Sequence, residues 1–243
     1  MRLICQIILV FCMGSLAWTQ YVISVHAGLI NYAEGSVFLD KEYFEFRVDQ
    51  LREMKQGQRL RTAAGKVEVQ LGPAASLWMD ENGSLRMDNP GLTETRLVIE
   101  KGSVFIEIIE KLQDDGIMLQ LGNTEIQLND TGLYHIESVP PQIYVFDGKA
   151  KIGQQQEKET VKRGRCAELE DEVKISKFDM DRFSPLKNWV KQRSQLVYGR
   201  IKNAQKKEIR RRLMESRILQ QEVESLVRRQ MQQQQLLQQM EER

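Results

Sequence analysis

Few residues in this chain of 243 are equipped for chemistry. There are two histidines, His26 and His135, and three cysteines, Cys5, Cys12 and Cys166. A hydrolase or transferase working near neutral pH needs a poised base, usually histidine, or two converging carboxylates. His26 follows the apolar run from Tyr21 to Val25, and His135 stands beside Tyr134 in a strand opened by Gly132. Both read as structural or surface residues. The histidines and cysteines have no zinc-ligand spacing. The turns Asp80-Glu81-Asn82-Gly83 and Asn129-Asp130-Thr131-Gly132 carry carboxylates, but neither alternates its ligands as a calcium loop does. Hairpin turns account for both, and Asn82-Gly83 is a strong hairpin signal because both residues tolerate positive φ. No Gly-x-Ser-x-Gly, phosphate loop or dinucleotide fingerprint occurs. The sequence therefore predicts a protein that is not an enzyme, with no catalytic, metal-binding or cofactor-binding residues.

The elements that would position any site repeat one device, a glycine or Asx-Gly turn followed by an alternating apolar strand. It begins at Gly35, Gly65, Gly102, Gly122 and Gly148. Such punctuation, with almost no helical periodicity between the turns, predicts a mainly β fold. Short strands with glycine turns imply either a two-sheet sandwich or a short β-roll, and the pattern does not choose between them. In Ser36-Val37-Phe38-Leu39, Val37 and Leu39 point one way and Phe38 the other. Separate strands are expected at Gly28 to Tyr32 and Ser36 to Asp40, and a strand plus connection from Tyr43 to Lys55 around Phe44, Phe46 and Val48. The expected core is Val67, Val69, Leu71, Leu77, Val98, Val104, Ile106, Ile108, Leu119, Leu121, Ile126, Leu128, Ile143 and Val145.

Both ends differ from this body. Arg2 and the apolar stretch Leu3 to Leu16, then small residues at Ser15 and Ala17, predict a secretory signal peptide over 1–19, cleaved after Ala17 or Thr19. The mature chain would keep Cys166 alone, a thiol that is either buried and inert or bridged to another molecule. Beyond the β domain, placed at 20–172, and a linker at 173–183, a tail at 184–243 changes grammar. Ser184 suits an N-cap and Pro185 the first helical position, and no proline follows. About 58 residues of helix would reach about 85 Å at ~1.5 Å per residue, too long for the β body to cover. Leu219, Val223 and Leu226 fall on a broken a/d seam, so a coiled coil that drives self-association or docking is expected. Phe183 and Trp189 would pin the helix start. Lys206, Lys207, Arg210, Arg211 and Arg212 form a dense basic stretch. Residues 21–181 carry 19 Lys or Arg against 28 Asp or Glu, a balance of −9, and residues 182–243 carry 15 against 6, a balance of +9. A basic tail on an acidic body can attract a protein partner, another copy, or an anionic surface or polymer. Nucleic acid is not expected, because the tail lacks interleaved aromatics for stacking.

Over about residues 34–170 the order of these pieces resembles a FecR-like domain. Leu51 to Gly57, Leu60-Arg61-Thr62-Ala63-Ala64-Gly65-Lys66-Val67-Glu68-Val69-Gln70-Leu71 and Leu77-Trp78-Met79-Asp80 are similar to its opening. Leu97 to Ile108, Leu119 to Ile126, Tyr144 to Ile152 and Thr160 to Gly164 are similar to its later strands. The sequence departs from the family after Leu121-Gly122, where Thr then Phe is usual and Asn123, Thr124 and Glu125 stand here. The resemblance implies an extracytoplasmic bacterial module, periplasmic or secreted, that acts in envelope signalling or scaffolding through a protein partner. Because a signal peptide replaces the family's usual cytoplasmic segment and membrane helix, it implies fold and setting more than a sigma-factor role. A cell-wall or polysaccharide-binding module, with Trp78, Tyr134 and Tyr144 as a stacking surface, is the alternative.

Overall fold

Strand-forming residues and glycine turns alternate from Leu29 to Lys177, and the chain follows them almost without interruption. The computed structural model describes residues 27–47, 49–112, 116–154, 157–170, 172–181, 187–199 and 203. These fall in two compact units, divided between Phe178 and Asp179. The first unit holds β1 (Leu29–Leu39), β2 (Glu42–Phe44), β3 (Arg52–Glu53), β4 (Arg59–Gly72), β5 (Ala75–Met79), β6 (Ser84–Pro90), β7 (Glu94–Lys101) and β8 (Ser103–Ile108). It continues with β9 (Gly116–Leu121), β10 (Thr124–Leu128), β11 (Gly132–Ser138), β12 (Pro141–Asp147), β13 (Lys149–Gln154), β14 (Glu157–Lys162), β15 (Arg165–Leu169) and β16 (Val173–Lys177). In the second unit the described helix, α1, spans residues 187–199, where Lys187 Nζ donates to the Met180 carbonyl at 2.6 Å. The mainly β class expected from the sequence is the class observed. Residues 173–177, expected to begin a linker, instead form β16.

The strands make one sheet in the order β14-β13-β10-β9-β7-β6-β4-β5-β8-β11-β12-β15-β16, and β14 returns against β15, so the sheet is nearly closed. Among the described strands only β7 and β9 pair in parallel. A single apolar cluster draws Leu97, Leu119, Ile126 and Ile152 from one half of the path and Val104, Ile136, Ile143 and Ala167 from the other. The two halves therefore face each other across a common core, a flattened roll rather than two separate sheets.

The strand that joins the halves is β4. Its first residues pair with β6 and its last with β5, while β1 runs along it throughout. The β1–β4 register shifts just after Gly35 faces Gly65. Gly35 has φ +70°, and a Cβ on Gly65 would run into the Glu34 carbonyl. Glycines that read as turns between short strands are thus hinges within two long ones, since only glycine lets two backbones approach so closely. The Asn82-Gly83 turn also differs from expectation. Asn82 takes the left-handed conformation (φ 56°), but β5 and β6 do not pair with each other; both run antiparallel to β4. Thr62 holds the intervening loop to β4, its N–H donating to the Gly83 carbonyl at 2.9 Å and its Oγ1 to the Asp80 carbonyl at 2.5 Å.

The expected core residues are buried with one exception. Leu97 and Ile99 of β7 face the core, paired with Met87 and Leu85 on one side and Leu119 and Leu121 on the other, which turns Val98 outward. In a run of three apolar residues the period-2 phase is set by the neighbours' register, not by the run itself.

Candidate interaction surface

Register carries one row of residues across eight strands. Tyr32, Glu68, Trp78, Phe105, His135, Tyr144, Cys166 and Ser176 are each paired with the next. Register partners in an antiparallel sheet project to the same face. The neighbouring row, Val67, Met79, Val104, Ile136, Ile143, Ala167 and Ile175, takes the opposite face, and its first six residues lie in the core. The eight-strand row therefore lies on the back of the sheet. There Glu68, Trp78, Phe105, His135 and Tyr144 are each at most 1% exposed, so this part of the sheet is buried on both faces.

Polar contacts link neighbours along the back row. Trp78 Nε1 donates to Glu68 Oε2 at 2.9 Å, and Cys166 Sγ lies 3.2 Å from Ser176 Oγ. His135 stacks on Phe105 at 4.3 Å between centroids, and its Nε2 is 2.6 Å from Ser103 Oγ. A serine beside a histidine is the opening contact of a nucleophile–base pair. Here the imidazole is fully buried between Phe105 and Tyr144, so the contact fixes the ring among aromatics and gives it no approach from solvent. Phe178 closes the cluster edge-on, 5.2 Å from Tyr144 and 5.0 Å from Phe146.

The aromatic stacking surface expected of a polysaccharide binder is not there. Trp78 and Tyr144 are buried on the back face and Tyr134 in the core. Tyr134 instead braces the fold, its hydroxyl donating to the carbonyls of Asp130 at 2.9 Å and Lys149 at 3.1 Å. Burial raises its pKa above the ordinary tyrosine value. Cys166 is buried as a free thiol. Among the described residues no group of His, Cys, Asp and Glu could hold a metal ion, and no helix is long and apolar enough to cross a membrane.

Open backbone lies instead at the end of the sheet path. Among the described residues β16 pairs with β15 on one side only, and Lys174, Ile175, Ser176 and Lys177 are all exposed. An edge strand of this kind offers unused N–H and C=O groups to an added strand. The signal that could have found it is the alternation of Val173 and Ile175 with Lys174 and Ser176, in a stretch expected to be linker. Trp189, an expected docking residue, lies in α1 and is half-buried. The expected signal peptide, Phe183, and the tail residues Lys206, Lys207, Arg210, Arg211, Arg212, Leu219, Val223 and Leu226 lie outside the described residues.

No protein-family model matches the chain, and no curated protein matches it. Two crystal structures of a candidate anti-sigma factor from Parabacteroides distasonis ATCC 8503 are similar to it. The first is 9% identical with a TM-score of 0.43, covering 52% of this chain and 62% of that one. The second is 10% identical with a TM-score of 0.42, covering 51% and 61%. The chain thus spans less than two thirds of the length of either neighbour.

Proposed function

We propose that this protein is a non-enzymatic, exported bacterial module, FecR-like in the order of its strands and turns, that works in envelope signalling or scaffolding by binding other proteins. The observation that carries this reading is β16, a five-residue strand at one end of the sheet path, paired on one side among the described residues and with its last four residues exposed. An extended segment of a protein partner adds to that edge through main-chain hydrogen bonds. The basic tail drives association, through the seam that Leu219, Val223 and Leu226 mark in the sequence.

Successive residues of an edge strand point their N–H groups alternately toward and away from the paired neighbour. Proline at Lys174 and proline at Ile175 are therefore matched probes, since one removes an outward N–H and the other an inward one. In-cell crosslinking followed by mass spectrometry would compare these two variants, the full chain, and a full-length Leu219→Ser, Val223→Ser, Leu226→Ser variant. The reading expects the proline that faces outward to lose protein partners while the fold, followed by circular dichroism, is kept. It expects the seam variant to lower the sedimentation mass. Unchanged partners in both proline variants and an unchanged mass would refute it.

A further inference from the structure

Three connections of the roll gather at one place. The chain passes from β10 to β11 through 129–131, from β12 to β13 through Gly148, and from β14 to β15 through Arg163 and Gly164. Each crosses from one half of the sheet path to the other. Beside them runs the segment carrying Lys111, anchored where the Leu112 N–H donates to the Asn129 carbonyl at 2.8 Å. Together they surround a shallow depression of about 480 Å³ whose charged lining is Lys111, Asp130, Lys149, Lys162 and Arg163.

The cations there are exposed, and two of them are forced together by strand pairing. Lys149 and Lys162 stand directly opposite each other in the β13–β14 ladder, an arrangement that costs stability because the charges repel. Lys149 Nζ has Asp130 Oδ2 at 3.4 Å, and Arg163 Nε has Asp147 Oδ1 at 3.9 Å. Neither Lys111 nor Lys162 has an ion-pair partner among the described residues. Four cations against two carboxylates leave two positive charges uncompensated.

The main chain beneath them is held. The Tyr134 hydroxyl donates to the carbonyls of both Asp130 and Lys149, tying two of the crossing segments together. The Arg163 N–H donates to the Gly148 carbonyl at 3.1 Å and ties in the third. Gly148 has φ +81°, and a Cβ there would lie 2.5 Å from both the Thr131 carbonyl and the Tyr134 hydroxyl. A floor fixed in this way spares a ligand the cost of ordering the main chain, leaving only the side chains to be ordered.

We propose that this depression binds a phosphate-bearing ligand, its phosphoryl group taken by Lys149, Lys162 and Arg163 with Lys111 at the margin. A phosphate monoester carries about −1.5 to −2 at neutral pH, which matches the uncompensated charge; one carboxylate would leave half of it unmet. Lysine serves phosphate as a point charge with three donors, and arginine adds paired donors. The same group occurs on free phosphorylated molecules and on lipid headgroups, so the test separates the two sources. This proposal is independent of the protein-binding role assigned to β16.

The full chain would be titrated calorimetrically with inorganic pyrophosphate, and in parallel mixed with vesicles of phosphatidylcholine alone or containing phosphatidic acid. Lys162→Gln is the informative variant: it removes one of two facing like charges, so its thermal midpoint should hold or rise. Lys151→Gln alters a neighbouring lysine outside the depression and serves as the comparison. We expect Lys162→Gln to weaken binding about tenfold, the scale of one lost charge-assisted contact, with Lys151→Gln close to the parent. That pattern with pyrophosphate assigns a free-phosphate source; the same pattern with phosphatidic acid vesicles only assigns a headgroup. Equal weakening by both variants, or no weakening by Lys162→Gln with either probe, overturns the proposal.

Discussion

Replacing Tyr134 with phenylalanine keeps the buried ring and removes a single oxygen, so its consequences can be worked out closely. That oxygen donates to the Asp130 and Lys149 carbonyls, at 2.9 and 3.1 Å, across two connections of the roll. The hydroxyl has one hydrogen, shared between the two carbonyls, so the pair counts as a single bond worth a net ~0.5–1.5 kcal/mol, and a buried carbonyl left unmet raises the cost to ~1–3 kcal/mol. A loss of about 1–3 kcal/mol is expected at neutral pH, or roughly 2–4 °C in thermal midpoint per kcal/mol for a chain this long. The pH dependence is the sharper test. Burial raises the phenol's pKa in the folded protein above the ordinary value of 10.0. In the unfolded chain it ionises near that ordinary value. Above it the unfolded state gives up a proton that the folded state keeps, so stability is full below about pH 10 and falls as pH rises. The slope is ~1.4 kcal/mol per pH unit for one proton. Phenylalanine has no such proton. The advantage of the parent over Tyr134→Phe should therefore be constant from pH 7 to 9 and smaller by about 1.4 kcal/mol at pH 11. Urea unfolding followed by tryptophan fluorescence at several pH values measures the difference directly, because other titrating groups cancel between the two proteins. Parallel stability curves up to pH 11 would refute the reasoning.

Two further outcomes rest on close contacts. Trp78→Phe removes the N–H that Glu68 Oε2 accepts at 2.9 Å on the back of the sheet, and a buried polar atom left unmet costs ~1–3 kcal/mol; denaturant titration should show a loss in that range, and a change under about 0.5 kcal/mol would count against the contact. Gly148→Ala forces a Cβ to within 2.5 Å of two oxygens at φ +81°, whereas Gly122→Ala, at φ +57°, meets nothing within 4 Å. The second should cost only the left-handed penalty of about 1–2 kcal/mol and the first clearly more, so equal thermal midpoints would show that the crowding is not real.

Much of the architecture was legible along the chain, because a strand's side chains alternate whatever the strand is paired with. Val67, Val69 and Leu71 announce a buried face through their alternation with Glu68 and Gln70, and Gly102 and Gly148 mark breaks that the structure keeps. The readings that failed concern pairing. Gly35 and Gly65 have the local signature of turns, yet each lies within a strand because the other lies opposite. Ala75 to Met79 is buried at every position, a run that signals burial on two faces but does not name the second one. Val98 and its neighbours Leu97 and Ile99 are equally apolar, and only the registers of β6 and β9 decide which of them turns inward.

The sequence by itself determined the mainly β class, most of the core, and the scarcity of residues suited to catalysis, because these depend on residue type and on a two-residue period. Tertiary structure alone decided the surfaces. Lys111, Lys149, Lys162 and Arg163 share a depression only because three connections cross the roll at one end, and β16 offers an edge only because the sheet path stops there. Trp78 and Tyr144 are hidden on the back face and Tyr134 in the core, a placement their aromatic character alone does not fix. Which residues meet, and which remain open, follows from long-range strand pairing, and a periodicity of two carries no record of that partner.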